Sequence, residues 1–118
     1  MLEREPSKDL AVYAIWVPEL GATEKNVSGA VALVPDKRAR HYWNADDSLG
    51  RAFGAVLRTP ATAWDVYLLY PRGARWAAAS PPKPIFWMHQ LSGVTNAPHL
   101  DPDVFRDHVV GALRASRA

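Results

Sequence analysis

Trp64-Asp65-Val66-Tyr67-Leu68-Leu69-Tyr70, Pro71-Arg72-Gly73-Ala74 and Arg75-Trp76-Ala77-Ala78 run consecutively, and their reading decides the fold. The first seven residues are aromatic and branched, which suits a half-buried pleated strand. The next four combine Pro and Gly in tight-turn order, and Arg75–Ala78 then reads as a returning strand, so the stretch predicts an antiparallel hairpin. Beyond it, Ser80-Pro81-Pro82-Lys83-Pro84 cannot continue a ladder, because proline has no N–H to donate, and an extended exit from the sheet is expected.

Working outward toward the C-terminus, Ile85–Leu91 is apolar but too short to class as helix or strand, and Ser92–Pro98 reads as a loop. A helix follows. Asp101 is placed to cap it, Pro102 suits its first turn, and Val104, Phe105, His108, Val109, Ala112 and Leu113 recur on one face. Toward the N-terminus, Asp46-Asp47-Ser48 precedes a helical face of Leu49, Ala52, Phe53, Val56 and Leu57 that stops before Pro60. Arg38–Trp43 reads as a short strand, and Val27, Ala30, Val31 and Val34 mark a helix over 23–34. Leu10–Val17 is a continuous apolar run halted by Pro18, expected as a strand buried on both faces. Residues 1–9 are polar and charged and are expected as a flexible lead-in to a single domain over 10–118.

The 118 residues are 48% apolar, enough for one core and too few for two domains. No cysteine is present, which excludes thiol and disulfide chemistry. Fourteen Lys and Arg stand against twelve Asp and Glu with no basic run, so nucleic acid is not an expected partner. The start lacks a secretory apolar stretch and no segment is long enough to span a bilayer, so a cytoplasmic protein with no membrane partner is expected.

Strand, helix, short strand, helix, strand, turn, strand, loop, helix is an α/β order in which a hairpin precedes the last helix. Val12–Pro18, Pro35–Trp43, Trp64–Tyr70 and Trp87-Met88-His89-Gln90-Leu91 resemble a family of uncharacterised bacterial thioredoxin-like proteins, over residues 10–92. The resemblance implies a truncated thioredoxin-like domain, a mixed sheet of about four strands with a C-terminal antiparallel hairpin and flanking helices. Longer members carry a strand and a Cys-x-x-Cys helix ahead of the segment matching Ala11–Pro18. Here that dithiol is absent, and no proline precedes Trp64 or Asp65 where a thioredoxin sets its cis-proline, so redox activity does not carry over.

The family's missing strand runs between those matching Val12–Val17 and Asp65–Tyr70, which leaves two edges to be covered. Either these strands pair directly in a smaller sheet or a second copy covers them, and five tryptophans favour a homodimer. The expected function is therefore non-redox binding, to itself and a protein partner or to a small aromatic ligand. Trp43, Trp64, Trp76 and Trp87 would line a ligand pocket, with Tyr67, His41, His89 and Gln90 as its polar groups. The alternative is a cofactor-independent hydrolase or lyase in which His41 or His89 works with Asp65 or Asp36. Against it, a histidine bonded to backbone and an Asp65 paired with Arg38 or Arg40 account for the same residues structurally. His89, His99 and His108 with Asp101 and Asp103 match no metal spacing, and Asp101 and Asp103 are already explained as helix-start residues, so neither metal nor cofactor is expected. No nucleophile elbow, phosphate-cradling loop or dinucleotide fingerprint occurs.

Overall fold

The computed structural model describes residues 1–18, 24–26, 29, 32–77 and 79–117. It is a small mixed α/β domain whose described residues form two α-helices and two separate two-stranded sheets. Strands β1 (Val12–Trp16) and β2 (Ala39–Trp43) pair in parallel, Val12 opposite Ala39 and Trp16 opposite Trp43. Helix α1 (Ser48–Leu57) follows. Strands β3 (Val66–Leu69) and β4 (Phe86–His89) then pair antiparallel, and helix α2 (Pro102–Arg117) ends the chain. Among the described residues no ladder joins β1 to β3, so the four strands do not form the single mixed sheet expected, nor its direct-pairing form. The helix expected over 23–34 lies largely outside the described residues; within it, Glu24–Asn26 form a 3-10 turn.

The turn at Pro71–Ala74 forms as expected, with Gly73 at φ +82 and the Ala74 N–H donating to the Pro71 carbonyl at 3.2 Å. Its returning strand does not. Arg75–Ala77 leave the sheet, and the partner of β3 is Phe86–His89, the run that sequence left unclassified. The reason lies in what each segment can bury. Arg75–Ala78 offers one large apolar group, Trp76, which stays 45% exposed and meets Phe53 edge-on; Phe86-Trp87-Met88 offers three. The prolines between act as expected, carrying the chain past the turn without a ladder, and the Tyr70 hydroxyl pins them by donating to the Pro82 carbonyl at 2.8 Å.

Because opposed residues share a face, Leu69 and Phe86 stand on one side of the hairpin, and Leu68 and Trp87 on the other. On the first side lies α2. Val109 and Leu113 bury against Leu69, with Phe86, Phe105, Ala112, Met1 and Leu10 packed around them. The apolar stripe of α2 is narrower than the sequence implies, since Val104 and His108 are exposed. Its cap is as expected: the Asp103 and Val104 N–H groups donate to Asp101 Oδ1 at 3.0 and 3.3 Å.

Helix α1 has its deepest contact one step round from the expected face. Gly50, Gly54 and Leu57 are the buried positions, because the chain after α1 doubles back and lays its backbone on the glycines. The Ala63 N–H donates to the Gly50 carbonyl at 3.0 Å. A β-carbon on Gly50 would stand 2.5 Å from Thr62 Cγ2 and 2.8 Å from the Ala63 carbonyl oxygen.

Strand β1 is not buried on both faces. Its residues alternate, with Tyr13 and Ile15 exposed, because no described element covers that side. The N-terminal segment is held by two sets of contacts. Arg38 donates all five guanidinium N–H groups over 2.5 to 3.0 Å, to the carbonyls of Leu2, Glu5 and Ser7 and to both oxygens of Asp36. Between these, Arg4 pairs with Asp103, and Arg106 donates to the Arg4 carbonyl at 3.2 Å. No described helix is long and apolar enough to cross a membrane.

Two glycines give opposite expectations. Gly50→Ala should lower stability by about 1–3 kcal/mol through backbone collision, despite alanine's better helix propensity. Gly111→Ala, whose β-carbon meets nothing within 4 Å in α2, should raise it by about 0.5–1 kcal/mol. Denaturant unfolding of both variants checks the pair. A second expectation concerns acid. The Arg38 side chain, and then its backbone N–H, hold the Asp36 carboxyl down to about 2 from its ordinary 3.8. A depressed carboxylate stabilises the fold above its unfolded value, so the contribution is complete above 3.8 and is lost as pH falls toward 2. Unfolding midpoints measured through that window should fall less steeply in Asp36→Asn than in the parent.

Candidate functional site

Antiparallel pairing brings the start of β3 and the end of β4 to one edge, where the Gln90 N–H donates to the Asp65 carbonyl at 3.1 Å. Asp65 sits just ahead of β3 with φ +52, a left-handed backbone that aspartate tolerates better than most residues. This turn shortens the expected strand to Val66–Leu69. It also aims the Asp65 carboxylate at its neighbours rather than at an arginine. The Tyr67 hydroxyl donates to Asp65 Oδ1 at 2.9 Å. Since that phenol has one proton and the carboxylate takes it, Gln90 presents its amide nitrogen, 3.0 Å from Asp65 Oδ1 and 3.3 Å from both Oδ2 and the Tyr67 oxygen. The expected pairing of Asp65 with Arg38 or Arg40 is thus replaced: Arg38 belongs to Asp36, and Asp65 is held by a phenol and an amide.

Burial first, and then the Asp65 carboxylate, push the Tyr67 phenol up to about 12 from its ordinary 10.0. The hydroxyl therefore stays protonated and serves as a fixed donor. Chemically, the trio can hold a polar group at the exposed Gln90 amide, and it clamps the open end of the hairpin.

The histidines are occupied differently. His89 is buried, its Nδ1 accepting from the Leu91 N–H at 3.0 Å and its Nε2 lying 3.0 Å from the Ala97 carbonyl, which sets the Nε2–H tautomer. His41 repeats the pattern. Its Nδ1 accepts from the Trp16 indole at 3.0 Å, its Nε2 faces the Val34 carbonyl at 3.2 Å, and its ring stacks on Trp16. Neither ring is directed at Asp65 or Asp36, and the two belong to different sheets. Both nitrogens of each serve the backbone or an indole.

His99 meets His89 edge-on with ring centroids 5.5 Å apart, and His108 stacks on Phe86 at 3.5 Å from α2. Asp101 caps α2 and Asp103 pairs with Arg4, so these side chains do not converge; among the described residues no three His, Asp or Glu groups gather as a metal set. Of the tryptophans expected to line one pocket, Trp43 lies at the end of β2 opposite Trp16, Trp64 precedes Asp65, and Trp76 rests on α1. Trp87 lines a cavity of about 270 Å³ with Val56, Leu57, Arg58, Lys83 and Pro84. A second cavity, of about 360 Å³, opens between Leu69, Ile85 and Phe86 and the Asp107–Ala112 face of α2.

No family model, curated protein or solved structure matches the chain. Geometry alone therefore ranks the residues. Arg58 and Lys83 were missed by reading the sequence, where one follows a helix end and the other sits among prolines. An isolated cation in a loop usually means solvent, and the only written signal was an arginine where a helix stop favours glycine.

A spectrophotometric titration tests the clamp. Of four tyrosines, the one at Tyr67 should stay protonated until about 12, and Tyr67→Phe should delete that late transition. Asp65→Asn should bring it down only part of the way toward 10.0, because burial is the larger cause.

Proposed function

We propose that this chain is a non-redox, thioredoxin-like binding module that engages a second copy of itself through the outward face of β1 and β2. The observation that carries the reading is the character of that face. Tyr13, Ile15 and Tyr42 are 61%, 41% and 48% exposed on adjacent strands, and the two tyrosine rings stack with centroids 6.5 Å apart. Parallel strands are ordinarily covered on both sides, and here the side carrying Trp16, His41 and Trp43 is part-buried while no described element covers the other. Aromatic side chains in such a patch suit association.

A second copy fits this face for two reasons. A two-fold contact lays identical aromatic groups on each other, and a formal charge of +2 leaves little repulsion between copies. Size limits the strength. The three side chains expose roughly 300 Å², against about 800 Å² per partner in a standard interface, so the dimer should be a micromolar one.

Light scattering across a concentration series tests this. The mass should climb from 13.0 kDa toward twice that value between about 10 and 500 µM, and Ile15→Lys should hold it at 13.0 kDa. A parent chain that stays monomeric throughout would remove the second copy as the occupant.

A further inference from the structure

We propose that the cavity between the C-terminal end of α1 and the start of β4 binds a small aromatic anion, a single ring bearing a carboxylate or phosphate. It is independent of the β1–β2 face and goes beyond self-association. The cavity measures about 270 Å³ and is lined by Val56, Leu57, Arg58, Lys83, Pro84 and Trp87. For scale, an apolar cavity of about 150 Å³ accepts benzene, so one ring and one anionic group fill this space.

Its charge is one-sided. Two cations line it and no carboxylate does. The described ion pairs engage Arg4, Arg38, Arg51 and the N-terminus, leaving Arg58 and Lys83 without one. A guanidinium and an ammonium lining one cavity with an indole are what an aromatic anion requires, the cations for its charge and Trp87 for its ring.

The scaffold fixes the backbone beneath both cations. Arg58 is the C-terminal cap of α1 at φ 59 and ψ 44, a left-handed conformation normally given to glycine. Keeping an arginine there is unfavourable for the backbone relative to glycine, yet it puts arginine in the lining of the cavity. Lys83 stands between Pro82 and Pro84, whose rings fix their own φ, and Tyr70 anchors the Pro82 carbonyl. Ordering a ligand there asks little further loss of backbone freedom. The negative end of α1 would oppose an anion, but Asn96 Nδ2 donates to its last carbonyl, Leu57, at 2.8 Å.

Calorimetric titration of the full chain with phenyl phosphate, benzoate, benzamide and inorganic phosphate tests the proposal. Saturable one-to-one binding of phenyl phosphate or benzoate is expected, with benzamide and inorganic phosphate at least about tenfold weaker, as loss of a charge-assisted contact or of stacking implies. Arg58→Gly should weaken phenyl phosphate binding by about tenfold while raising the unfolding temperature, because glycine relieves the left-handed backbone. A loss of binding through misfolding would lower that temperature instead. Lys83→Gln should weaken binding similarly. The proposal is overturned if neither anion saturates, if benzamide or inorganic phosphate binds as tightly as phenyl phosphate, or if both variants bind like the parent.

Discussion

A guanidinium carries five N–H donors in a rigid plane, and burying it among main-chain carbonyls is tolerable only when all five are met. Arg38 meets that condition with three carbonyls of the first seven residues and the two oxygens of Asp36. Its own carbonyl accepts from the Val12 N–H at 3.3 Å, at the point where β1 and β2 begin their parallel register. The same N-terminal segment reaches α2 through Arg4 and sends Met1 and Leu10 into the core around Val109 and Leu113. With no ladder between the two sheets among the described residues, this segment ties one to the other.

The polar groups follow a related logic. His41 and His89 each sit where backbone groups would otherwise lack a partner, and each ring closes one donor and one acceptor contact. A histidine so engaged is a structural bracket. Asp65, Tyr67 and Gln90 do equivalent work at the mouth of the hairpin, with the phenol kept neutral by burial and by the carboxylate it serves. Groups with unfilled capacity lie elsewhere, on the tyrosine face of β1 and β2 and beside Trp87.

Local chemistry made much of the architecture legible. Asp101 and Pro102 announce α2, Asp46-Asp47-Ser48 announce α1, and Pro71–Ala74 makes its turn, because caps, charge and φ preferences act over a few residues. What a strand pairs with is another matter. Arg75–Ala78 is the nearer candidate in sequence, but Phe86-Trp87-Met88-His89 buries more, and the prolines between them allow the longer loop. The burial of β1 departs from expectation for a similar reason, since Tyr13 and Ile15 look like core residues in sequence but no described element covers them.

The sequence by itself determined that thiol chemistry is impossible here, that one α/β domain forms, and where its helices and tight turn lie, because these depend on residue type and near neighbours. Only the tertiary structure decided that Arg38 serves Asp36 and the first residues rather than Asp65, that His41 and His89 are bonded to their surroundings, and that Arg58, Lys83 and Trp87 line one cavity. Those outcomes rest on partners from 2 to 36 positions apart, which packing and register select and no local pattern records.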